Sequence, residues 1–165
     1  MRHHLGAPVA AIGLAYVVWA FPNIVGAPVG GRIADRARRS TVILVFGLAQ
    51  VPCYAIYGLL NGFVVGIIVF GVHGAVYALM QPAVDATLAA ASPDAARARV
   101  QSVYSAVGLA SAFAAANVLS ALYGLNFRLP LFVMAVGFGL CVLVGGTLIA
   151  YPSVVVSCRR FREGE

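Results

Sequence analysis

The chain has 165 residues, of which 62% are hydrophobic and 10% are charged, with a formal net charge of +6. Soluble globular proteins carry about 25% charged residues, so this composition excludes a soluble domain of any size. The positive charge is not accompanied by a basic patch interleaved with exposed aromatic residues, and we predict no nucleic-acid partner.

Four long stretches contain no charged residue, namely 6–31, 40–84, 100–127 and 129–158. A helix that crosses the ~30 Å hydrocarbon core of a bilayer needs ~20 mostly apolar residues. The second stretch has room for two such helices, separated by the turn signal Asn61-Gly62. We therefore predict an all-α integral membrane protein, a single membrane domain over 1–165. Its five helices are expected at roughly 8–30, 41–60, 63–86, 94–123 and 130–151.

The basic residues are distributed unevenly between the two sides of this predicted bundle. Nine of the 11 arginines follow the first, third or fifth helix, while Arg2 and Arg128 lie on the other side. Cytoplasmic loops carry the excess of basic residues in membrane proteins. We therefore expect a multi-pass protein of the cell (plasma, or inner) membrane, with its N-terminus outside and its C-terminus in the cytoplasm.

No pattern typical of an enzyme or a metal protein is visible. The three cysteines, Cys53, Cys141 and Cys158, show neither a disulfide framework nor metal-ligand spacing. No Ser/His/Asp or Cys/His constellation is apparent. We predict no catalytic residue, no cofactor and no metal site. The residues before the first helix do not resemble a cleaved signal peptide.

Residues 30–39 read Gly-Gly-Arg-Ile-Ala-Asp-Arg-Ala-Arg-Arg and lie between the first two predicted helices. They resemble the loop signature of the major facilitator superfamily: a Gly, three residues, Asp-Arg, one spacer, then Gly-Arg-Lys/Arg. Arg38 stands in place of the second glycine, and Ser40 in place of the final base. The matching positions are Gly31, Ala34, Asp35, Arg36 and Arg39.

Two further segments resemble the same family. Phe21-Pro22-Asn23 with Gly26-Ala27-Pro28 is similar to the helix before this loop in drug-type exporters. Gln81-Pro82, Ser92-Pro93 and Arg97 are similar to the inner end of the tenth helix and the loop that follows it. The resemblance implies a partial six-helix half of a twelve-helix fold, with helices eight to twelve present. We therefore expect a fragment, whose partner is the missing N-terminal half or another membrane protein.

The resemblance also implies a function. It predicts a lipid-embedded transporter, partial in this chain, that exports small organic molecules by alternating access and uses protons as the coupling ion. The alternative is a small non-transporting membrane subunit or assembly partner, which would pack against other helices through its glycine-rich faces.

Polar residues inside the predicted helices are candidates for the substrate pathway. His73, Tyr77 and Gln81 recur every four residues on the third helix, a spacing that keeps them near one face. Asn117 is the deepest polar residue of the fourth helix. An ionisable residue at this depth is a functional candidate by default, although a neutral histidine can simply hydrogen-bond between helices. Gln50 is expected to be structural.

The loop motif predicts a cytoplasmic gate formed by Gly31, Asp35, Arg36 and Arg39. The resemblance implies that Asp35 latches the cytoplasmic side by meeting a helix N-terminus in the other half. We therefore expect Asp35 to cap no helix within this chain. Arg38 and Arg39 are expected to remain solvated and to set the orientation only.

The predicted topology can be tested by labelling in a variant without its native cysteines. We expect Asn126→Cys to react with a membrane-impermeant reagent added from outside, because the Arg128 loop is placed there. Ser40→Cys should react only after the membrane is opened. Labelling of Ser40→Cys alone from outside would reverse the assignment.

Overall fold

The computed structural model describes residues 10–60 and 62–150, and all of the regular elements in this part are helical. Its long helices are α1 (Ala10–Arg36), α2 (Arg39–Leu59), α3 (Phe63–Ala91), α4 (Arg97–Leu125) and α5 (Leu129–Ala150), with a short 3-10 turn at Asp94–Ala96. Five helices are long and apolar enough to cross a membrane. The predicted all-α membrane fold is confirmed. Asn61, half of the predicted turn signal, lies outside the described residues.

The first helix extends beyond its predicted end near Gly30 and includes most of the motif. Helical hydrogen bonding continues to the Ala37 amide, which donates to the Ile33 carbonyl over 2.9 Å. Residues 32–36 include no glycine or proline that would stop a helix. Asp35 and Arg36 therefore occupy the last turn of α1, and the connection to α2 is correspondingly short.

A serine followed by proline and an acid, as in Ser92-Pro93-Asp94, is a typical start signal for a helix, but here Ser92 closes the third helix. The Ser92 hydroxyl donates backwards to the Leu88 carbonyl over 2.7 Å. Asp94 then starts the 3-10 turn and forms an ion pair with Arg97 at 2.6 Å. A serine hydroxyl can hydrogen-bond to backbone groups that precede or follow it in the chain. The sequence pattern alone therefore did not determine whether Ser92 would end α3 or begin the next helix.

Helices α1 and α3 pack against each other with their backbones close together at glycines. A Cβ atom added at Gly26 would lie 2.8 Å from the Ala78 Cβ, and one at Gly30 would lie 2.8 Å from the Ala78 carbonyl oxygen. A Cβ at Gly74 would lie 2.5 Å from the Trp19 carbonyl oxygen. Small residues allow such an approach, which is how membrane helices gain van der Waals contact.

Helices α2 and α5 are joined in the same way. A Cβ at Gly47 would lie 2.6 Å from Val142, and one at Gly146 would overlap the Leu44 side chain. The ring of Phe132 fits beside Gly58, at 3.2 Å from the position of an added Cβ. The described structure thus contains two glycine-packed helix pairs, α1–α3 and α2–α5.

The two pairs meet where α2 lies beside α3, a boundary we call the seam. For the described glycines, the atoms nearest to an added Cβ do not lie across this boundary. At one end of the seam, Ala34, Val42, Ile43 and Ala83 form a buried apolar cluster. Helix α4 lies at the edge of the bundle and has no buried residue.

The glycine contacts predict an asymmetric response to alanine substitution along α3. We expect Gly74→Ala to destabilise the fold by ~1–3 kcal/mol, because its methyl group must displace the α1 backbone at Trp19. Gly66→Ala is the matched control, since no atom lies within 4 Å of its Cβ position. That substitution should be neutral or stabilising, because alanine is the better helix former. Unfolding midpoints in detergent measure both, and equal midpoints would contradict the packing described here.

Candidate functional site

His73 lies in the seam and is turned toward α2. Its residue is 8% exposed, and its Nε2 atom is 3.2 Å from the Oε1 atom of Gln50. Gln50 is itself only 1% exposed and is the largest side chain that is fully buried in the described part. The histidine therefore forms a buried polar contact between two helices, the structural alternative considered from the sequence.

The other contacts of Gln50 favour one tautomer of His73. The Gln50 Nε2 group donates to the Phe46 carbonyl over 3.4 Å and to the Met80 sulfur over 3.5 Å. With the amide in this orientation, its oxygen faces the imidazole and can only accept. His73 must then carry its proton on Nε2, which leaves Nδ1 as a bare acceptor.

Aromatic rings surround the imidazole. The Tyr54 ring makes an edge contact with it at 4.8 Å between centroids, and the rings of Tyr57 and Phe70 lie at 6.1 Å and 6.4 Å. Edge contacts at such distances are favourable for aromatic pairs. We call these five residues, Gln50, Tyr54, Tyr57, Phe70 and His73, the seam cluster.

The polar stripe predicted on α3 does not face a single surface. The Tyr77 ring packs on Trp19 of α1 at 5.7 Å between centroids, on a different neighbour from that of His73. Gln81 donates to the Asp85 carboxylate over 3.1 Å. Each four-residue step rotates the side chain by about 40° around the helix axis. Because α3 lies between α1 and α2, successive residues of its stripe therefore contact both neighbours. Its assignment to a substrate pathway stays a prediction.

Asn117 does not meet His73. It is exposed on α4, and its Nδ2 group donates to the Phe113 carbonyl of its own helix over 2.8 Å. Because α4 carries no buried residue, this amide is not packed inside the described bundle. The structure therefore brings His73 together with Gln50 rather than with Asn117.

The motif residues Asp35 and Arg36 are exposed at the end of α1. Within the described residues, Asp35 makes no hydrogen bond or ion pair, and it caps no helix. A carboxylate in the last turn of a helix lies at the negative end of the helix dipole, which disfavours it. Gly31 is also open, since no atom lies within 4 Å of its Cβ position.

Arg39 is exposed and also contacts a neighbouring helix. Its Nη1 group donates to the Ala86 carbonyl of α3 over 3.1 Å, 47 residues along the chain. Nearby, Ala34 of the motif is 6% exposed and packs in the same buried cluster as Ala83. The motif therefore also holds α1, α2 and α3 together at this end, through a backbone acceptor that the sequence pattern does not identify.

The contacts of His73 with Gln50, Tyr54 and Tyr57 were not predicted from the sequence. These residues follow each other at four- and three-residue steps on α2, the spacing of one helix face. That spacing was a usable signal, because a polar stripe on one membrane helix needs polar neighbours on another. Within the described residues, no group of His, Cys, Asp and Glu is placed to hold a metal ion.

The sequence profile of the family described as Major Facilitator Superfamily matches residues 1–162. The chain belongs to the major facilitator superfamily. No curated protein and no solved structure matches it. Members of this superfamily are transporters, so the chain is a multi-pass membrane protein of a transporter family.

In this major facilitator chain, the His73–Gln50 contact predicts a measurable coupling. We expect His73→Ala and Gln50→Ala each to reduce stability by ~1–3 kcal/mol, because each leaves a buried polar partner unsatisfied. The double variant should lose less than the sum, by ~0.5–3 kcal/mol, since the two residues share one contact.

Asn117→Ala is the control for this cycle, because Asn117 is exposed and bonds only to its own helix in the described structure. Its effect should stay within ~0.5 kcal/mol. Unfolding in detergent gives all four values. Additive losses from His73→Ala and Gln50→Ala would show that the two side chains do not interact.

Proposed function

We propose that this chain is part of a secondary transporter that exports small organic molecules in exchange for protons. The observation that carries the proposal is the family match over residues 1–162. Transport in such a protein is by alternating access around a site near the middle of the membrane. The proposed location is the cell (plasma, or inner) membrane, with the N-terminus outside and the C-terminus in the cytoplasm, as the arginine distribution favours.

Helix α4 supports the further proposal that additional helices complete the transporter. It has no buried residue, yet it carries Asn117, whose polar side chain is disfavoured in contact with lipid. Small residues recur every four positions along it, at Gly108, Ala112, Ala116, Ser120 and Gly124. We propose that this face packs against the complementary half of the transporter, or against another membrane protein.

The substrate pathway that we propose runs along the open side of α3 and α4, past Gln81 and Asn117. Gln81 lies where α3 is partly exposed and forms a polar pair with Asp85, while Asn117 projects from α4. His73 and Tyr77 would form the wall behind this pathway, because they hold α3 to α2 and α1 respectively.

The cytoplasmic gate that we propose uses Gly31, Asp35, Arg36 and Arg39. Asp35 stands at the unfavourable end of α1 and is exposed, so a helix N-terminus from the complementary half would be a stabilising partner. Arg39 has a different role, because its hydrogen bond to the Ala86 carbonyl joins the start of α2 to α3. Gly31 is open enough for another backbone to approach.

A non-transporting membrane subunit is the second candidate function. The exposed small-residue face of α4 favours it as much as it favours a half-transporter, because both roles require a partner helix. The two functions differ in their activity. A subunit would bind its partner through α4 without moving a solute across the membrane.

Efflux of a fluorescent organic cation, such as ethidium, distinguishes the two. The chain is expressed alone and together with any membrane segments that the DNA upstream of Met1 encodes. We expect efflux only from the combination, and we expect it to slow when the proton gradient is collapsed. Association without efflux would favour the subunit.

In the active combination, Asp35→Asn tests the gate. We expect efflux to change by about two- to fivefold, because a carboxylate at a helix N-terminus contributes ~0.3–1 kcal/mol. Asp94→Asn is the matched control, since this exposed acid already forms an ion pair with Arg97 within the chain. Such surface pairs contribute little, and its efflux should be unchanged. Equal rates for both variants would remove Asp35 from the gate.

A further inference from the structure

Two polar atoms of the seam cluster are buried and have no hydrogen-bond partner among the described residues. They are Nδ1 of His73 and the hydroxyl oxygen of Tyr57. Their rings are neighbours, with centroids 6.1 Å apart and planes inclined at 56°. Buried polar atoms in proteins nearly always have a partner, which can be protein or an ordered water. Two unsatisfied atoms on adjacent rings therefore indicate a shared partner.

The two atoms are chemically complementary. The Gln50 amide fixes the His73 proton on Nε2, so Nδ1 can only accept a hydrogen bond. The Tyr57 hydroxyl can donate one and accept another. The seam cluster thus offers one donor and one acceptor toward one small ligand.

Nothing charged competes for this position. Arg39 and Asp85 are the only charged residues of α2 and α3 in the described structure, and both lie toward the ends of their helices. Tyr54 faces the imidazole from α2, and Phe70 faces it from α3. Helix α1 reaches the cluster through Tyr16 and Trp19, which contact Phe70. A neutral ligand suits these surroundings better than an ion.

We propose that the seam cluster binds a single water molecule between His73 and Tyr57. The water donates one hydrogen bond to His73 Nδ1 and accepts one from the Tyr57 hydroxyl. These bonds give the water two of the roughly 2–4 that a buried water makes. The result is a continuous polar chain from Tyr57 to the Phe46 carbonyl, across the seam. This site is independent of the transport proposal.

Solid-state ¹⁵N NMR of the full chain in lipid bilayers tests the site. The His3→Asn and His4→Asn substitutions leave His73 as the single histidine for labelling. At neutral pH we expect a protonated Nε2, a hydrogen-bonded but unprotonated Nδ1, and magnetisation transfer from water to the imidazole. Tyr57→Phe removes one anchor of the water, so the transfer should be lost and Nδ1 should shift toward a free lone pair. Tyr54→Phe, which alters the other tyrosine beside the same ring, should change neither.

The remaining outcomes overturn the proposal. A free Nδ1 without water transfer in the unsubstituted chain would show a dry seam. A hydrogen-bonded Nδ1 without water transfer, lost in Tyr57→Phe, would show a direct bond between the two side chains. An imidazole protonated on both nitrogens would show a cation instead of a neutral hydrated pair. The signals of the unsubstituted chain decide the matter even if Tyr57→Phe does not fold.

Discussion

The close approach of helix backbones at glycines is the constraint on which the rest of this structure depends. Lipid tails are as apolar as leucine, so burying side chains between helices supplies no hydrophobic driving force, and packing must supply the contact. Gly30 and Gly74 allow this for α1 and α3, and Gly47 and Gly146 allow it for α2 and α5. Each pair is then fixed by shape, because an added methyl group would meet backbone or a branched side chain.

The seam between these pairs is held by a different kind of contact. Gln50 and His73 meet there inside a ring of aromatic side chains, and Arg39 reaches the α3 backbone at one end. Hydrogen bonds can exchange partners after a small displacement, whereas a glycine contact is lost when the helices separate. The described bundle therefore combines two sterically fixed pairs with one polar boundary, and its most buried polar residue, Gln50, lies at that boundary.

The family motif has two structural roles that its sequence pattern does not separate. Ala34 is buried, and the exposed Arg39 bonds to the α3 backbone, so these two join three helix ends. Asp35 and Arg36 are exposed. Adjacent helical positions point about 100° apart, so consecutive motif residues necessarily face different surroundings. The exposed part of the motif is available to a partner, as is the face of α4 that carries Asn117.

The sequence by itself determined the membrane environment, the number of helices and the family, because these follow from apolar length, charge placement and a local motif. It also identified His73 as a residue that needs an explanation. Only the tertiary structure decided that His73 meets Gln50, that Tyr77 turns to α1 and that Ser92 ends α3. The physical reason is that periodicity places a residue on a helix face, whereas the partner of that face depends on which helices pack together. Here glycines of other helices, such as Gly26, Gly30 and Gly47, took part in that choice, and a local interpretation of the α3 stripe could not include them.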